Sequence, residues 1–326
     1  MNYYPYLRAK QFELKALREL AESYGETVSR QLFPILEPIN KEDRALNLAT
    51  EVFLKNGLKF ALVVNPSEGD FKHSTVRFVL PNAERLESER DKWIPTYIVS
   101  NKAAEIQAMI GENGYEHVML LFPNGIDEAV PDMDALLRMG EVQYVVSNFA
   151  KTSRSMKRKL HEAGKTIICL DDNFKEQPKN ADYAGIVDEL FTENVFYYED
   201  DGYDGYSDYT ALPSALVIGG MLPYAIAIHM TYKRTADQIY IHHFVSDTND
   251  TNRDTANKFT EAGRKAIVFY DGMTDITPSA QELVLRAKNA DKGIKGDGVE
   301  SAYPGLGYLK KLSIKNHIEL LLNLRD

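Results

Sequence analysis

Three acidic residues have the type and the setting that acid–base or metal-assisted chemistry needs, namely Glu37, Asp171 and Asp208. Each lies at or near the end of a predicted β-strand. Paired carboxyl groups can act as general acid and general base, or hold a divalent cation through oxygen. Glu37 lies between Leu36 and Pro38, where a carboxyl group must be paired or have its pKa raised. The sequence therefore predicts these three residues as catalytic, and it leaves open which is the acid, which is the base and whether a divalent metal is bound.

Basic and amide side chains follow the same predicted strands and could bind an anionic group. Arg8 can hold a phosphate or a carboxylate through two parallel N–H donors. Lys151 and Arg154 lie at the start of a basic helix, where backbone amides also favour phosphate. The alternative for each asparagine is a turn or strand cap, and for the basic helix it is a solvated face. The ligand-binding set predicted at the strand ends is Arg8, Asn65, Asn124, Asn148, Lys151 and Arg154.

A second group of candidate ligands consists of histidines on two alternating runs late in the chain. Because side chains alternate along a strand, only one of His242 and His243 can share a face with His229. Two histidines together with Asp247 would supply the donor types that zinc or iron accepts. The alternative is that the histidines only form structural hydrogen bonds. His229 and His243 are therefore predicted to bind a ligand, and the metal is left undetermined.

Seven short apolar runs must position these residues, and each is followed by a polar residue and then by a helix-like stretch or a loop. This alternation predicts parallel strands, whose carboxyl ends gather on one face of the fold, where functional residues lie. An eighth strand is most economically Tyr206–Ala211. The first turn, Arg8-Ala9-Lys10, lacks the glycine of an open dinucleotide-binding sheet, which favours a TIM-like (β/α)8 barrel. The seven runs are Tyr3–Leu7, Leu32–Leu36, Phe60–Val64, Ile94–Val99, Val118–Phe122, Tyr144–Val146 and Thr166–Leu170.

The regular alternation ends after the seventh run and a predicted helical stretch near Asp182–Leu190. The runs Ala225–Tyr232 and Gln238–Val245 predict an antiparallel β-hairpin within an insertion at about 212–250. Helices are predicted to follow at about 254–326. Because no linker rich in proline or serine marks a boundary, the prediction is one α/β barrel domain, 1–326, that carries a hairpin insertion.

The composition disfavours some classes of function. A formal net charge of -10 argues against a protein that coats nucleic acid with a basic face, and a hydrophobic content of 44% supports a large core. The single cysteine, Cys169, allows no intrachain disulfide and lies in an apolar run as a buried thiol would. No apolar run is long enough for a transmembrane helix, and the first residues show no signal-peptide pattern. We therefore expect a cytoplasmic protein that does not bind membranes.

Five segments of the chain together resemble one protein family: Tyr3–Leu17, Pro34–Pro38, Gly205–Tyr209, Ala227–His229 and His242–Phe244. They are similar to segments of the "beta protein" family, a group of bacterial and phage proteins, and the two histidine segments resemble one bacterial branch of it. The resemblance implies a barrel-like α/β fold and a link to mobile elements, and it carries over no catalytic residue. Ala9 departs from the family pattern, because glycine is expected there, and this makes the first turn less permissive.

Two functions from different classes are compatible with the sequence. The first is an enzyme or binding protein that hydrolyses or binds a small anionic, phosphate-bearing ligand through the carboxylates and Arg8. The second is a non-enzymatic interaction protein of a phage, mobile-element or defence system. It would act with a partner protein through the hairpin and the tyrosine-rich loop Tyr197–Pro213. Self-association through exposed hairpin edges is a third arrangement. The sequence decides neither the ligand nor the oligomeric state.

Overall fold

The computed structural model describes residues 1–28, 30–72, 78–217, 219, 222–294 and 302–325. Its strands are β1 (Tyr6–Leu7), β2 (Ile35–Leu36), β3 (Phe60–Val63), β4 (Trp93–Ile98), β5 (Val118–Phe122), β6 (Val142–Asn148), β7 (Thr166–Asp171), β8 (Asp188–Thr192), β9 (Gly205–Asp208), β10 (Ala227–Thr235) and β11 (Gln238–Val245). Its α-helices are α1 (Gln11–Val28), α2 (Arg44–Asn56), α3 (Ala83–Ser88), α4 (Ala103–Asn113), α5 (Met133–Arg138), α6 (Arg154–Glu162), α7 (Asn194–Tyr197), α8 (Thr255–Phe269), α9 (Pro278–Asp291) and α10 (Leu306–Leu322). Within these residues, no helix combines the length and the apolar character needed to cross a membrane.

The first seven strands and β9 form one parallel sheet in the order β1-β2-β3-β4-β5-β6-β7-β9. The two ends of the sheet meet where Tyr3 bridges Tyr206, and the Tyr4 N–H donates to the Tyr206 carbonyl oxygen at 2.8 Å. The sheet is thus nearly closed into a TIM-like barrel that alternates with helices, which confirms the predicted fold class. The eighth barrel strand covers Gly205–Asp208, whereas the sequence predicted Tyr206–Ala211.

Glycine permits the close approach of strands at the point where the sheet closes. A Cβ atom on Gly205 would lie 2.8 Å from the ring of Tyr4 and 3.2 Å from the side chain of Ile168. A larger residue would push the last strand away from the first, because contacts below about 3 Å require the neighbouring atoms to move.

Alternation along the strands decides which side chains meet inside the barrel. Every second residue of a strand faces the barrel interior. The residues between them, such as Leu36, Leu62 and Leu120, are buried as well, because they point toward the surrounding helices. Strands that are apolar on both faces are what a helix-covered parallel sheet requires. The interior cluster consists of Tyr4, Tyr6, Ile35, Ala61, Val63, Met119, Leu121, Val146, Ile168, Leu170 and Tyr209.

The chain divides into two compact units, residues 1–172 with 194–209, and residues 173–193 with 210–326. The second unit has an antiparallel sheet in the order β10-β11-β8, and its core joins β10 and β11 to α8, α9 and α10. The predicted insertion at about 212–250 includes residues 218, 220 and 221, which lie outside the described residues. The interpretation of 1–326 as one domain stays a prediction.

The third strand of this sheet is where the sequence-based prediction was wrong. In place of a helical stretch near Asp182–Leu190, the chain forms a 3₁₀ helix over Asn180–Gly185 and then strand β8. Leu190 pairs with Tyr240 across the β8–β11 ladder. Pairing with a strand about fifty residues away overrides the local helical pattern, because strand formation depends on the neighbouring strand.

Candidate functional site

The arginine and the glutamate predicted at the first two strand ends lie against each other. Strands β1 and β2 are adjacent and parallel, with Leu7 paired to Leu36, so Arg8 and Glu37 leave the sheet side by side. Arg8 Nη1 donates to Glu37 Oε2 at 2.6 Å, and the Tyr6 hydroxyl donates to the same oxygen at 2.5 Å. Glu37 is only 1% exposed, and its other oxygen, Oε1, has no well-aligned hydrogen-bond partner among the described residues.

The surroundings of Glu37 act on its charge in opposite directions. Burial raises the pKa of Glu37, and the negative charge of Glu68 adds to the increase. The Arg8 guanidinium, the Tyr6 hydroxyl and a hydrogen bond from the Ser67 backbone lower it, and the resulting pKa lies above that of an exposed glutamate. Burial and then the negative charge of Glu37 raise the pKa of Tyr6, so this hydroxyl stays protonated and donates. A carboxyl group with a raised pKa is suited to exchange a proton near neutral pH.

Two aromatic rings hold the Arg8 guanidinium in place. Its Cζ atom lies 4.6 Å from the ring centroid of Tyr6 and 5.7 Å from that of Tyr209, and the two rings are 5.2 Å apart. Burial raises the pKa of Tyr209 against the opposing effect of Arg8, and the negative charge of Asp172 adds to the increase. Sequence reasoning did not select Tyr6, Tyr209 or Asp172 as site residues.

The structure does not bring Asp171 and Asp208 to Glu37. The two aspartates are register partners on β7 and β9, and the residues next to them, Leu170 and Tyr209, belong to the interior cluster. Because side chains alternate along a strand, Asp171 and Asp208 face outward from the barrel. Glu37 lies two residues after Ile35, which faces the barrel interior, and it accepts a hydrogen bond from Tyr6, another residue of the interior cluster.

Neighbouring side chains on the outer face of the sheet donate hydrogen bonds to the carboxylates of Asp171 and Asp208. Tyr3 donates to Asp208 Oδ1 at 2.7 Å. Asp171 Oδ2 accepts from Asn194 at 3.0 Å and from the Tyr206 hydroxyl at 3.2 Å. Both aspartates are buried, and buried carboxylates require such partners. Their position on the outer face separates them from the Arg8–Glu37 pair, so the catalytic role predicted for them does not enter the function proposed for this pair.

Two of the predicted asparagines serve different purposes. The Asn65 amide spans the backbone of Ile98, with Oδ1 accepting from its N–H and Nδ2 donating to its carbonyl oxygen, both at 2.9 Å. Both ends of the Asn65 amide are therefore used to continue the β3–β4 ladder. Asn148 ends β6, and its Oδ1 atom is buried without a partner in the described part of the chain. It can accept a hydrogen bond from a ligand.

The remaining predicted strand-end residues, Asn124, Lys151 and Arg154, are exposed. The turn after β5 lies against the segment after β6, because a Cβ on Gly125 would be 2.7 Å from the Lys151 Cβ. Arg154 is the first residue of α6, which is capped by Ser153. Their predicted role in anion binding stays a prediction.

The first βα turn has the backbone conformation for which glycine is favoured. Ala9 is fully buried and has a φ of 50°, in the left-handed region. An L-residue other than glycine is strained there by about 1–2 kcal/mol. The alanine therefore fixes a strained turn directly after Arg8.

In the second unit, the register of the hairpin pairs His229 with His243 and not with His242. Their Nδ1 atoms are 2.7 Å apart, and His243 Nε2 is 3.4 Å from Glu189 Oε1. Burial lowers the pKa of His229, and the neighbouring His243 lowers it further. Burial also lowers the pKa of His243 against the opposing effect of Glu189, so both imidazoles are neutral at neutral pH.

The other members of the predicted metal set lie apart from this histidine pair. His242 faces the opposite side of the sheet, 3.4 Å from Asp188, and Asp247 forms an ion pair with Lys265 at 2.7 Å. In the ranges that the structure describes, no group of three histidine, cysteine, aspartate or glutamate side chains is placed to hold a metal ion. The combination of two histidines with Asp247 is thus not assembled.

No protein-family model matches this sequence, and the comparison with curated proteins also finds no match. The resemblance to the beta protein family therefore stays a prediction. The function has to be inferred from the geometry of the barrel site and of the histidine pair.

Proposed function

We propose that the barrel binds a small anionic, phosphate-bearing ligand beside Arg8 and hydrolyses it with Glu37 as general acid–base. The observation that carries this proposal is the buried Glu37 carboxyl group. Its Oε2 atom is fixed by two donors, whereas Oε1 has no well-aligned side-chain or backbone donor in the described part of the chain, although the Ser67 backbone lies close enough to act on the carboxyl group. Leaving a buried polar atom unpaired is costly, and such atoms often mark the place of a ligand or a water molecule.

Arg8 supplies the positive charge for the anionic group. Its side chain is 18% exposed, so a ligand can reach it, and Glu37, Tyr6 and Tyr209 fix its orientation. A guanidinium held in one orientation binds phosphate with little loss of side-chain entropy. The anion would then lie next to Glu37 Oε1.

This arrangement fits a simple hydrolytic step. Glu37 Oε1 accepts a proton from a water molecule as the water oxygen bonds to phosphorus. The same proton then passes to the leaving oxygen as its bond to phosphorus breaks. Tyr6 and Arg8 keep the carboxylate oriented throughout, and proton transfer by a positioned carboxyl group is worth about 10²–10⁴ in rate.

The proposal is tested by measuring hydrolysis of 4-nitrophenyl phosphate and bis(4-nitrophenyl) phosphate between pH 5 and 9. We expect Glu37→Gln to lower kcat by about 100-fold or more, and Arg8→Gln to weaken the binding of inorganic phosphate in calorimetry. The control is Glu42→Gln, an exposed residue in the loop between Glu37 and α2, which should leave both readouts unchanged.

A protein that neither hydrolyses these esters nor binds phosphate would contradict the proposal. Hydrolysis that persists in a folded Glu37→Gln variant would contradict the role given to Glu37. Tryptophan fluorescence reports whether each variant is folded, because the only tryptophan, Trp93, is buried in β4 of the same unit.

A second candidate function is binding to a partner protein of a phage, mobile-element or defence system. The observation that favours it is the exposure of three apolar side chains of the second unit, Val217, Leu222 and Tyr224, each more than half exposed. Exposed apolar groups of this kind are typical of interaction surfaces. Co-expression with the products of adjacent genes should give a complex in light scattering that a triple serine variant loses, and a parent protein that stays alone would contradict this function.

A further inference from the structure

The second unit contains a cavity that the proposed hydrolytic site does not use. Its volume is about 330 Å³, which is in the range of small-molecule sites. Phe174 and Tyr183 form aromatic walls, and Pro213 and Leu309 add apolar surface. His229 also lines this cavity, with its ring centroid 5.1 Å from that of Phe174 and 4.6 Å from that of Tyr183, both in edge-to-face contact.

A chain of hydrogen bonds behind His229 fixes the positions of its protons. Lys175 forms an ion pair with one oxygen of Glu189 at 2.7 Å, and the other oxygen lies 3.4 Å from His243 Nε2. A carboxylate only accepts, so His243 carries its proton on Nε2 and has a lone pair on Nδ1. The His229 Nδ1, 2.7 Å away, must then donate to it. Neutral His229 is left with a lone pair on Nε2.

The Nε2 atom of His229 makes no hydrogen bond within the described residues, although this side chain lines the cavity. It is therefore an acceptor that is oriented in advance between two aromatic rings. Of the cavity-lining residues, the two that carry full charges, Glu176 and Lys310, have opposite signs. The cavity consequently offers no excess charge to a ligand.

We propose that this cavity binds a small uncharged ring compound that carries one hydroxyl or amino donor. The ring packs against Phe174 and Tyr183, and the donor bonds to His229 Nε2. Glu189 and His243 act as positioning residues, because they hold His229 in the tautomer that accepts. All residues that line this site belong to the second unit, so the proposal does not depend on the hydrolytic function.

Two fluorinated probes of nearly equal shape test the proposal in ¹⁹F NMR titrations at pH 7. 4-Fluorophenol has a donor, and fluorobenzene has none. We expect 4-fluorophenol to bind about five-fold more tightly or better, which is the ratio that one ordinary hydrogen bond gives. In His229→Phe the ring remains and the acceptor is lost, so the two probes should bind equally. His242→Gln, on the opposite face of β11, should keep the preference.

A preference for 4-fluorophenol that survives in His229→Phe would overturn the proposal, as would equal binding of the two probes to the parent protein. A second measurement needs no variant. Long-range ¹H–¹⁵N correlation spectra of the parent protein assign each imidazole tautomer, and we expect the Nδ1–H form for His229 and the Nε2–H form for His243. A proton on His229 Nε2 would exclude it as the acceptor.

Discussion

Replacing Arg8 with methionine should make the stability of the barrel depend strongly on pH. Methionine keeps much of the side-chain volume but removes the cation that lies 2.6 Å from Glu37. The carboxyl group, at 1% exposure, cannot regain water in the folded state. A buried carboxylate that loses its cation either remains charged at high cost or takes up a proton.

The cost of taking up a proton sets the magnitude of the effect. An unfolded glutamate has a pKa of about 4.3, so protonating Glu37 costs about 3.7 kcal/mol at pH 7 and about 1 kcal/mol at pH 5. The raised folded-state pKa makes the native state bind more protons than the unfolded state, so the stability of the variant falls as pH rises from about 4 to 7. Because the parent protein also has a raised Glu37 pKa, we expect the additional loss between pH 5 and 7 to be about 2 kcal/mol.

Urea unfolding followed by Trp93 fluorescence at pH 5, 6 and 7 measures this loss in the unit that contains the site. The double variant Arg8→Met/Glu37→Gln should lose the extra pH dependence, because the titrating carboxyl group is gone. Arg138→Met, which removes an exposed ion pair with Asp134, is the control and should leave the pH dependence unchanged. A stability difference between parent and Arg8→Met that is the same at pH 5 and pH 7 would refute the reasoning.

Three further predictions concern packing and hydrogen bonds that the structure shows directly. Gly263→Ala should destabilise the protein by about 1–3 kcal/mol in thermal unfolding, because the new methyl group would lie 2.8 Å from the Ala287 Cβ atom of α9. The control is Gly111→Ala on α4, where the new methyl group meets open space, and it should stabilise the protein by up to about 1 kcal/mol. Asn65→Asp loses the donor to the Ile98 carbonyl oxygen and places a carboxylate against that oxygen, so the free energy of unfolding in urea should fall by about 1–3 kcal/mol. The control is Asn124→Asp at an exposed position, which should change it very little. Lys165→Met removes the side-chain donor to the Met139 and Val142 carbonyl oxygens, of which the Met139 oxygen keeps a hydrogen bond from the Val142 N–H. The midpoint of urea unfolding should fall by an amount equivalent to about 1–3 kcal/mol. Equal effects of a variant and its control, or an unchanged midpoint for Lys165→Met, would contradict these expectations.

Some of the site could be found in the sequence because its signal is local. Arg8 and Glu37 each follow a short apolar run, and neighbouring parallel strands place such residues side by side. Tyr4, Tyr6 and Arg8 also recur at every second position, which is a sign of a shared face. That alternation was available in the sequence and would have predicted the tyrosine beside Glu37.

Other parts of the site depend on contacts that no local pattern contains. The strand Thr166–Asp171 is apolar on both faces, so its sequence does not show whether Asp171 or Asp172 points into the barrel. Likewise, alternation shows that only one neighbouring histidine can face His229, and only the β10–β11 register selects His243.

The sequence by itself determined the barrel fold and the end of the sheet at which Arg8 and Glu37 lie, because periodicity and strand-end polarity are properties of short segments. The tertiary structure alone decided that Asp171 and Asp208 face outward, that β8 is a strand, and that Glu189, His243 and His229 form a hydrogen-bonded chain. These features depend on side-chain facing and strand register, which arise from pairing between segments far apart in the chain.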